Sequence, residues 1–223
     1  MNTRPAPVQE ITAFRESLYY FLSECLLRSP TGTLAASWQD SEWRASLLRL
    51  LDLPASLLPS HAELGDVTEL AVEYAQLFVV PSTHTCAFEF YHRAGGRVAE
   101  NTGFGPLLAS SAAVQQIYRS WGLRPEMETE EVPDHAATEL RFMAMLVALE
   151  RQARTAGDDG PVAATLRAQA DFLDEHVLAW FPAWMATVRA QARLPYYRSL
   201  VEVLSRFLEV DRKTLECMLA LRS

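Results

Sequence analysis

Apolar residues recur at steps of three and four along almost the whole chain, and this helical period constrains the fold most strongly. In residues 8–28 one face of the predicted helix carries Ile11, Phe14, Leu18, Leu22 and Cys25. Similar stretches follow at residues 34–53, 67–78, 106–121, 133–154, 162–192 and 195–221. The sequence therefore predicts an all-α protein, an irregular helical bundle of about eight or nine helices in a single domain over residues 1–223.

Particular residues predict where several of these helices begin and end. Pro133 is expected to open a helix, and Gly122 to end the helix before it. Pro182 is the expected break within the helical stretch 162–192. Asp211 is expected to cap a short final helix, separate from the preceding one.

Residues 80–105 form the one long stretch without a helical pattern. Its aromatic residues, Phe88, Phe90 and Tyr91, either fill the core or line a groove that receives an apolar helix. A metal site of His84, Cys86 and His92 is a further alternative, although the spacing matches no common zinc pattern. The stretches 80–105 and 155–161 are predicted hinges for exchanging helices between protomers, so we expect either a monomer or a domain-swapped dimer.

The segment before and at the start of the predicted helix at Pro133 is rich in acids and has no Lys or Arg after Arg124. His135 and Glu139 stand four residues apart and share a helix face, with Asp134 beside them. These three residues suit a metal-dependent enzyme or a general acid–base pair, but no nucleophile motif accompanies them. Helix capping with a contact between His135 and Glu139 is the alternative that spacing alone favours.

Charge and hydropathy limit the partners. The chain has 20 Lys and Arg residues against 28 Asp and Glu residues, a formal net charge of -8. Nucleic acids and anionic membranes are therefore unfavourable partners, whereas a cationic partner is attracted. We expect a cytoplasmic protein without membrane insertion, because no apolar run approaches about 20 residues and residues 1–9 lack the apolar core of a signal peptide. The glycines lack a phosphate-loop pattern, so no cofactor is expected.

Four sequence blocks, in this order and spacing, resemble those of a known family. They are Glu73-Tyr74-Ala75-Gln76-Leu77-Phe78, Pro133-Asp134-His135 with Glu139-Leu140, Phe172-Leu173-Asp174-Glu175-His176-Val177 before Trp180, and Tyr196-Tyr197. The chain resembles the TorD/DmsD/NarJ family of redox-enzyme maturation chaperones from about Tyr20 to Leu208. It departs at Ala87-Phe88-Glu89-Phe90, where many relatives have a Pro-Tyr-Glu-Ser-like stretch.

This resemblance implies a function and a site. The implied protein is an all-helical cytoplasmic chaperone, not an enzyme, whose partner is a molybdopterin-containing oxidoreductase subunit. It would bind the twin-arginine leader or the apo form and assist cofactor insertion, assembly and export. The implied peptide-binding residues are Pro133, Asp134, His135, Glu139, Tyr74, Phe78, Glu89 and Tyr91. The acidic run adds Glu130 and Glu131, because carboxylates beside an apolar helix complement two guanidinium groups followed by an apolar stretch.

Overall fold

Helices make up most of the residues that the structure, a computed structural model, describes: 8–60, 63–64, 66–79, 85–94, 105–123 and 132–222, with side chains from 111 onward in the helix that begins at Gly105. The helices are α1 (Val8–Leu27), α2 (Gly32–Ser37), α3 (Ser41–Leu50), α4 (Val67–Tyr74), α5 (Glu89–Arg93), α6 (Gly105–Ser120), α7 (Ala136–Ala156), α8 (Asp159–Phe172), α9 (Leu178–Gln191) and α10 (Pro195–Ala220). A first π turn (Ala75–Val79) extends α4, and a second π turn (Leu173–Val177) joins α8 to α9. Among the described residues, β-type pairing is confined to one bridge, between Phe88 and His135. The predicted all-α class is confirmed.

Helix α7 is the centre of the packing. It lies along α1 on one side and against α8 on the other. Its Leu140 and Met143 and the facing Leu18 and Leu22 of α1 are fully buried. Each such side chain stabilises the fold by about 1.5–3 kcal/mol relative to exposure. Within the described ranges, no helix combines the length and apolar composition needed to cross a bilayer.

Glycines in the left-handed conformation end two of the helices. Gly122, with φ 81°, follows α6 as the sequence predicts, and Gly157, with φ 71°, ends α7. The next residue, Asp158, accepts a hydrogen bond from the backbone N–H of Gly160 at 3.2 Å and so caps α8. The connection between α7 and α8 is therefore a tight capped turn, and its role as a hinge stays a prediction.

Two predicted helix boundaries are wrong. Helix α10 runs without interruption to Ala220, and Asp211 lies inside it as a buried residue instead of capping a separate helix. Pro182 lies within α9, and the irregularity falls one turn earlier, in the second π turn. That position is reasonable, because a proline removes the amide that would bond to the carbonyl one turn before it.

Two further boundaries near the predicted site also differ. Helix α7 begins at Ala136, with His135 as its N-cap, and not at Pro133. The backbone of residues 134–136 bonds to another segment instead, as described below. The stretch 80–105 was predicted to have no helix, yet Glu89–Arg93 forms the single turn α5. Apolar periodicity cannot reveal a helix of this length.

A network of buried polar side chains connects four of the helices: α1, α7, α8 and α10. Arg15 of α1 is 2% exposed and donates to Glu150 Oε2 at 3.1 Å and to Gln169 Oε1 at 2.6 Å. It also forms an ion pair with Asp211, whose Oδ2 accepts a hydrogen bond from the Tyr19 hydroxyl at 2.7 Å. One guanidinium group thus joins α1, α7, α8 and α10.

Candidate functional site

The segment 85–94, here called the strap, crosses the start of α7. The backbone N–H of Glu89 donates to the Asp134 carbonyl at 2.9 Å, and the N–H of Ala136 donates to the Ala87 carbonyl at 2.8 Å. These two bonds form the bridge between Phe88 and His135. The Pro-Asp-His block is therefore the partner of the strap, and this pairing explains why α7 begins three residues after Pro133.

The strap is held at both ends by the π turns. At one end the Thr85 hydroxyl donates to the Leu77 carbonyl of the first π turn. At the other end the Arg93 guanidinium donates to the Glu175 carbonyl of the second π turn. The Trp184 indole N–H of α9 adds a bond to the Thr85 carbonyl at 3.0 Å. Because π turns are rare and are frequently found at functional sites, this arrangement directs attention to the strap.

Three buried carboxyl groups lie where the strap crosses the start of α7 and form what we call the acid cluster: Glu89, Asp134 and Glu139. Glu89 is 1% exposed, and the other two are fully buried. Asp134 accepts hydrogen bonds from the Ser111 hydroxyl and, at 3.3 Å, from the backbone N–H of Phe90. Its two oxygens therefore connect the strap to α6. Burial raises the pKa of Asp134, although these hydrogen bonds oppose the shift.

Glu89 is paired with two basic side chains. Arg93, one turn later in α5, donates from Nε to Glu89 Oε1 at 2.6 Å. Nδ1 of His176, on the second π turn, lies 3.1 Å from Glu89 Oε1 and 3.2 Å from Oε2. Arg93 thus compensates the buried charge of Glu89, and His176 adds a polar contact from a second element.

Glu139 is the least satisfied member of the acid cluster. Its Oε2 accepts a hydrogen bond from the Trp180 indole N–H at 3.1 Å. Its Oε1 is buried and has no hydrogen-bond partner among the described residues. Burial, together with the nearby charges of Glu89 and Asp134, raises the pKa of Glu139 well above its ordinary value. A buried polar atom without a partner destabilises a fold, so an uncompensated carboxyl group in this place indicates a functional role.

A row of aromatic rings leads from the first π turn to the acid cluster. Successive ring centroids lie 5.3 Å apart for Tyr74–Phe78, 6.2 Å for Phe78–Trp184, 5.5 Å for Trp184–Trp180, 5.2 Å for Trp180–His92 and 5.2 Å for His92–Tyr91. The two tryptophans are buried, and the outer members of the row are half-buried. The same Trp180 that continues the row also bonds to Glu139. Aromatic rings and carboxyl groups are therefore adjacent here.

His135 acts as a helix cap. Its Nδ1 lies 3.2 Å from the backbone N–H of Ala137 and accepts that bond, so this nitrogen carries no proton. Burial lowers the pKa of His135 from 6.5 to about 4. The capping interpretation of the sequence holds for His135, whereas the side chain of Glu139 bonds to Trp180.

The pKa of His135 predicts a loss of stability in acid. Because the folded-state pKa of about 4 lies below the unfolded value of 6.5, the unfolded chain binds the extra proton, and the contribution is lost as pH falls from 6.5 to 4. We expect this single residue to account for about 2–3 kcal/mol of that loss. Urea unfolding of His135→Asn, which keeps a capping oxygen, should show a shallower decline between these pH values. An unchanged slope would contradict the assignment.

The structure brings together most of the residues that the sequence nominated. Glu89, Asp134 and Glu139 form the acid cluster, and Tyr74, Phe78 and Tyr91 belong to the aromatic row. Pro133 accepts a hydrogen bond at its carbonyl from the Tyr118 hydroxyl at 2.8 Å. Glu130 and Glu131 lie outside the described residues, as does His84.

Sequence reasoning gave no role to Arg93, His176 and Trp180. His176 and Trp180 stand in or next to a block that carries the family resemblance, and that was the only available signal. Arg93 lies in none of these blocks. Its spacing of four residues from Glu89 permits an ion pair on a helix, but only once a helix is expected there.

The geometry does not favour the metal-dependent alternative. Asp134, His135 and Glu139 direct their bonding atoms to different partners: Ser111 and Phe90, Ala137, and Trp180. In the described part of the chain, no group of three His, Cys, Asp or Glu side chains is placed to hold a metal ion. In the alternative metal site of His84, Cys86 and His92, His92 Nε2 lies 2.7 Å from the carbonyl oxygen of Cys86. This nitrogen therefore contacts the backbone of Cys86.

Comparison with known proteins identifies the family. The sequence model of the nitrate reductase delta subunit family matches residues 39–186, which include the strap, the acid cluster and the whole aromatic row. The chain belongs to this family. The resemblance to the TorD/DmsD/NarJ chaperones is thereby confirmed.

Individual relatives within the family agree. Chaperone protein TorD of Photobacterium profundum is 24% identical over 220 residues, which cover 92% of this chain and 96% of that protein. The perchlorate reductase assembly chaperone protein of Dechloromonas aromatica is 33% identical over 93 residues, 42% of this chain and 41% of that protein. The selenate reductase assembly chaperone protein of Thauera selenatis is 31% identical over 113 residues, 49% and 56% of the two chains. These relatives are named as chaperones, and none of these three names describes an enzyme.

Proposed function

We propose that this protein is a cytoplasmic chaperone, without catalytic activity, for a molybdopterin-containing oxidoreductase subunit. It binds the leader or another segment of the apo subunit and keeps the subunit competent for cofactor insertion, assembly and twin-arginine export. Membership of the nitrate reductase delta subunit family and the chaperone names of its relatives support this function.

The observation that carries the proposal is the contact between the acid cluster and the aromatic row through Trp180. A twin-arginine leader presents two guanidinium groups followed by an apolar stretch. Guanidinium groups pair with carboxylates through directed, often bidentate hydrogen bonds. Apolar segments bind in aromatic-lined grooves. The two chemical features of the leader thus have adjacent counterparts in this protein.

The contacts divide the nominated residues into two groups. Glu89 and Glu139 are proposed to receive a client guanidinium. Glu139 Oε1 has no hydrogen-bond partner among the described residues, so it can accept a bond from the client. Asp134 and His135 are proposed to position the strap and α7, since their polar atoms already bond within the chain.

The remaining nominated residues lie around these two groups. The half-buried Tyr74, Phe78 and Tyr91 are proposed to contact the apolar stretch. Pro133 is proposed to shape the approach, and Glu130 and Glu131 to attract the cationic end of the client by long-range charge.

Titration calorimetry with a synthetic twin-arginine peptide tests the proposal. The probe is a peptide with two adjacent arginines followed by a 12-residue stretch of leucine and alanine, and the comparison is the same peptide with two lysines. We expect the arginine peptide to bind about tenfold more tightly, because a lysine ammonium cannot reproduce the bidentate geometry. Equal affinities, or no binding of either peptide, would contradict the proposal.

Paired variants locate the interaction. Glu89→Gln removes one charge from the acid cluster, and Glu216→Gln removes one charge from an exposed pair with Arg212 on α10. The first variant should weaken binding of the arginine peptide at least about tenfold, the loss expected for a buried charged hydrogen bond. The second should leave the affinity unchanged. Equal effects would indicate a response to net charge and not a specific site.

A further inference from the structure

Arg93 occupies an unusual position at the edge of the acid cluster. It is the last residue of α5, and its Nε donates to Glu89 Oε1 at 2.6 Å. The Glu89 side chain is 1% exposed, whereas that of Arg93 is 48% exposed. The carboxylate is therefore fixed in the interior, while its cationic partner reaches it from the solvent.

The same guanidinium group also bonds to the second π turn, at the Glu175 carbonyl. From that turn His176 also contacts the Glu89 carboxylate, with Nδ1 3.1 Å from the same Oε1 and 3.2 Å from Oε2. Arg93 thus lies over Glu89 and bridges the strap to the segment between α8 and α9. This bridge depends on a half-exposed side chain, whose guanidinium group can exchange its protein partners for water.

The acid cluster retains capacity for a further cation although Arg93 is present. Glu139 Oε1 is buried and has no hydrogen-bond partner among the described residues. The charge of Arg93 favours ionised Glu139, yet burial and the charge of Glu89 outweigh it, so the pKa of Glu139 stays raised. Other described titratable groups on the elements around the cluster include His92 on α5, His135 before α7, and Glu175 and His176 on the second π turn. Of these, His176 lies within hydrogen-bond distance of a carboxylate of the cluster, that of Glu89.

We propose that Arg93 is an internal stand-in for a client arginine: it neutralises Glu89 in the free protein, and a guanidinium group of the bound peptide displaces it. This inference rests on the proposed function, since it assumes that a client guanidinium reaches the acid cluster. The incoming group would bond to Glu89 and to the open Oε1 of Glu139, which Arg93 leaves unsatisfied. Arg93 would then turn into solvent and release the Glu175 carbonyl.

Such an arrangement has a physical purpose. Glu89 is buried, so its carboxylate needs a cationic partner whether or not a client is bound. A half-exposed arginine keeps Glu89 compensated while no client is bound, and an incoming guanidinium group can take its place without leaving the carboxylate unpaired. The stand-in also lowers the apparent affinity for the client, because only the fraction of molecules with Arg93 displaced can bind.

Removing the stand-in should therefore tighten binding. We expect Arg93→Ala to bind the twin-arginine peptide about five- to tenfold more tightly than the wild type in titration calorimetry, by removal of that competition. The matched control is Arg212→Ala on α10, which removes one positive charge from a pair with Asp174 of the same π turn. The control should change the affinity less than about twofold, since its charge is screened.

A second measurement follows the Arg93 side chain in the wild-type protein. In protein labelled with ¹⁵N-arginine, the Nε–H signal of Arg93, assigned from its disappearance in Arg93→Lys, should move to the position of a solvent-exposed arginine when the peptide is added. The signal of Arg15, which is buried in another part of the protein, should stay in place.

The outcomes separate this inference from the proposed function. If the wild type prefers the arginine peptide but Arg93→Ala binds it no more tightly and the Arg93 signal does not move, the inference fails and the proposed function stands. Weaker binding by Arg93→Ala would show that Arg93 supports the peptide, which also overturns the inference. If neither protein binds the peptide, both fail.

Discussion

Replacing Arg15 by alanine is expected to lower the free energy of unfolding by about 3–5 kcal/mol, the loss typical of breaking a buried ion pair. The guanidinium of Arg15 is compensated by Glu150 and Asp211, and both acids are buried. Without Arg15, Asp211 keeps only the Tyr19 hydroxyl as a partner among the described side chains, and its charge remains unpaired in the interior. Because small domains are stable by only about 5–15 kcal/mol, this variant should unfold at a much lower urea concentration.

The chain offers a control for this prediction on the same pair of helices. Arg151 of α7 pairs with Glu16 of α1, 2.6 Å from Nε to Oε2, at the surface. Arg151→Ala also removes an arginine that connects α1 and α7, but water replaces the lost partner, so the midpoint of urea unfolding should hardly change.

A double-mutant cycle tests whether the network is the cause. The double variant Arg15→Met with Asp211→Asn removes both charges, and it should be less destabilised than the sum of the two single variants. Strict additivity would show that the lost stability comes from packing and not from the unpaired charge.

This network also shows where sequence reasoning reaches its limit. Helical periodicity located α1 and its apolar face correctly, and Arg15 lies on that face four residues before Tyr19. The partner Asp211 is 196 residues away, and nothing in a local pattern identifies it. The sequence pattern predicts Asp211 as a helix cap, because aspartate is favoured at that position. In the fold, Asp211 is buried as the partner of Arg15, and α10 continues through it.

The candidate site shows the same division. The residues Glu89, Asp134 and Glu139 could be nominated from the family resemblance, but no sequence pattern indicates that all three are buried in one cluster. That result depends on the backbone pairing between the strap and residues 134–136, which connects positions 45 and 49 residues apart in sequence. Local periodicity is blind to such pairing, and the short helix α5 that places Arg93 over Glu89 was missed for the same reason.

Glu139→Gln is expected to make the protein more stable at neutral and alkaline pH. The folded-state pKa of Glu139 is raised above the unfolded value, so its favourable contribution is present at low pH and is lost as pH rises through the folded-state value. Glutamine is neutral at every pH, has nearly the same shape, and can still accept the Trp180 bond through its carbonyl oxygen. We expect a gain of about 1–3 kcal/mol in the free energy of unfolding at pH 8, because the amide avoids the cost of ionising a buried carboxyl group, and a smaller gain at pH 5.

The pH trend of this gain distinguishes Glu139 from His135, whose contribution is lost in the opposite direction, toward acid. Urea unfolding of the wild type and Glu139→Gln from pH 5 to pH 8 measures it. Glu150→Gln is the matched control: Glu150 is equally buried, but Arg15 and Arg154 compensate it, at 3.1 and 2.7 Å. That variant should be destabilised, because it leaves two arginines short of a charge.

Glu139→Gln should bind the client peptide more weakly while it gains stability. If Glu139 is retained to receive a guanidinium group, a neutral side chain removes half of the compensation, and binding of the twin-arginine peptide should fall about tenfold or more. A residue kept only for the fold would show the reverse, with lower stability and unchanged binding. Proteins retain an unsatisfied buried group where function requires it, so a stability gain accompanied by a binding loss is the result that a working site predicts. A stable variant with unimpaired binding would remove Glu139 from the site.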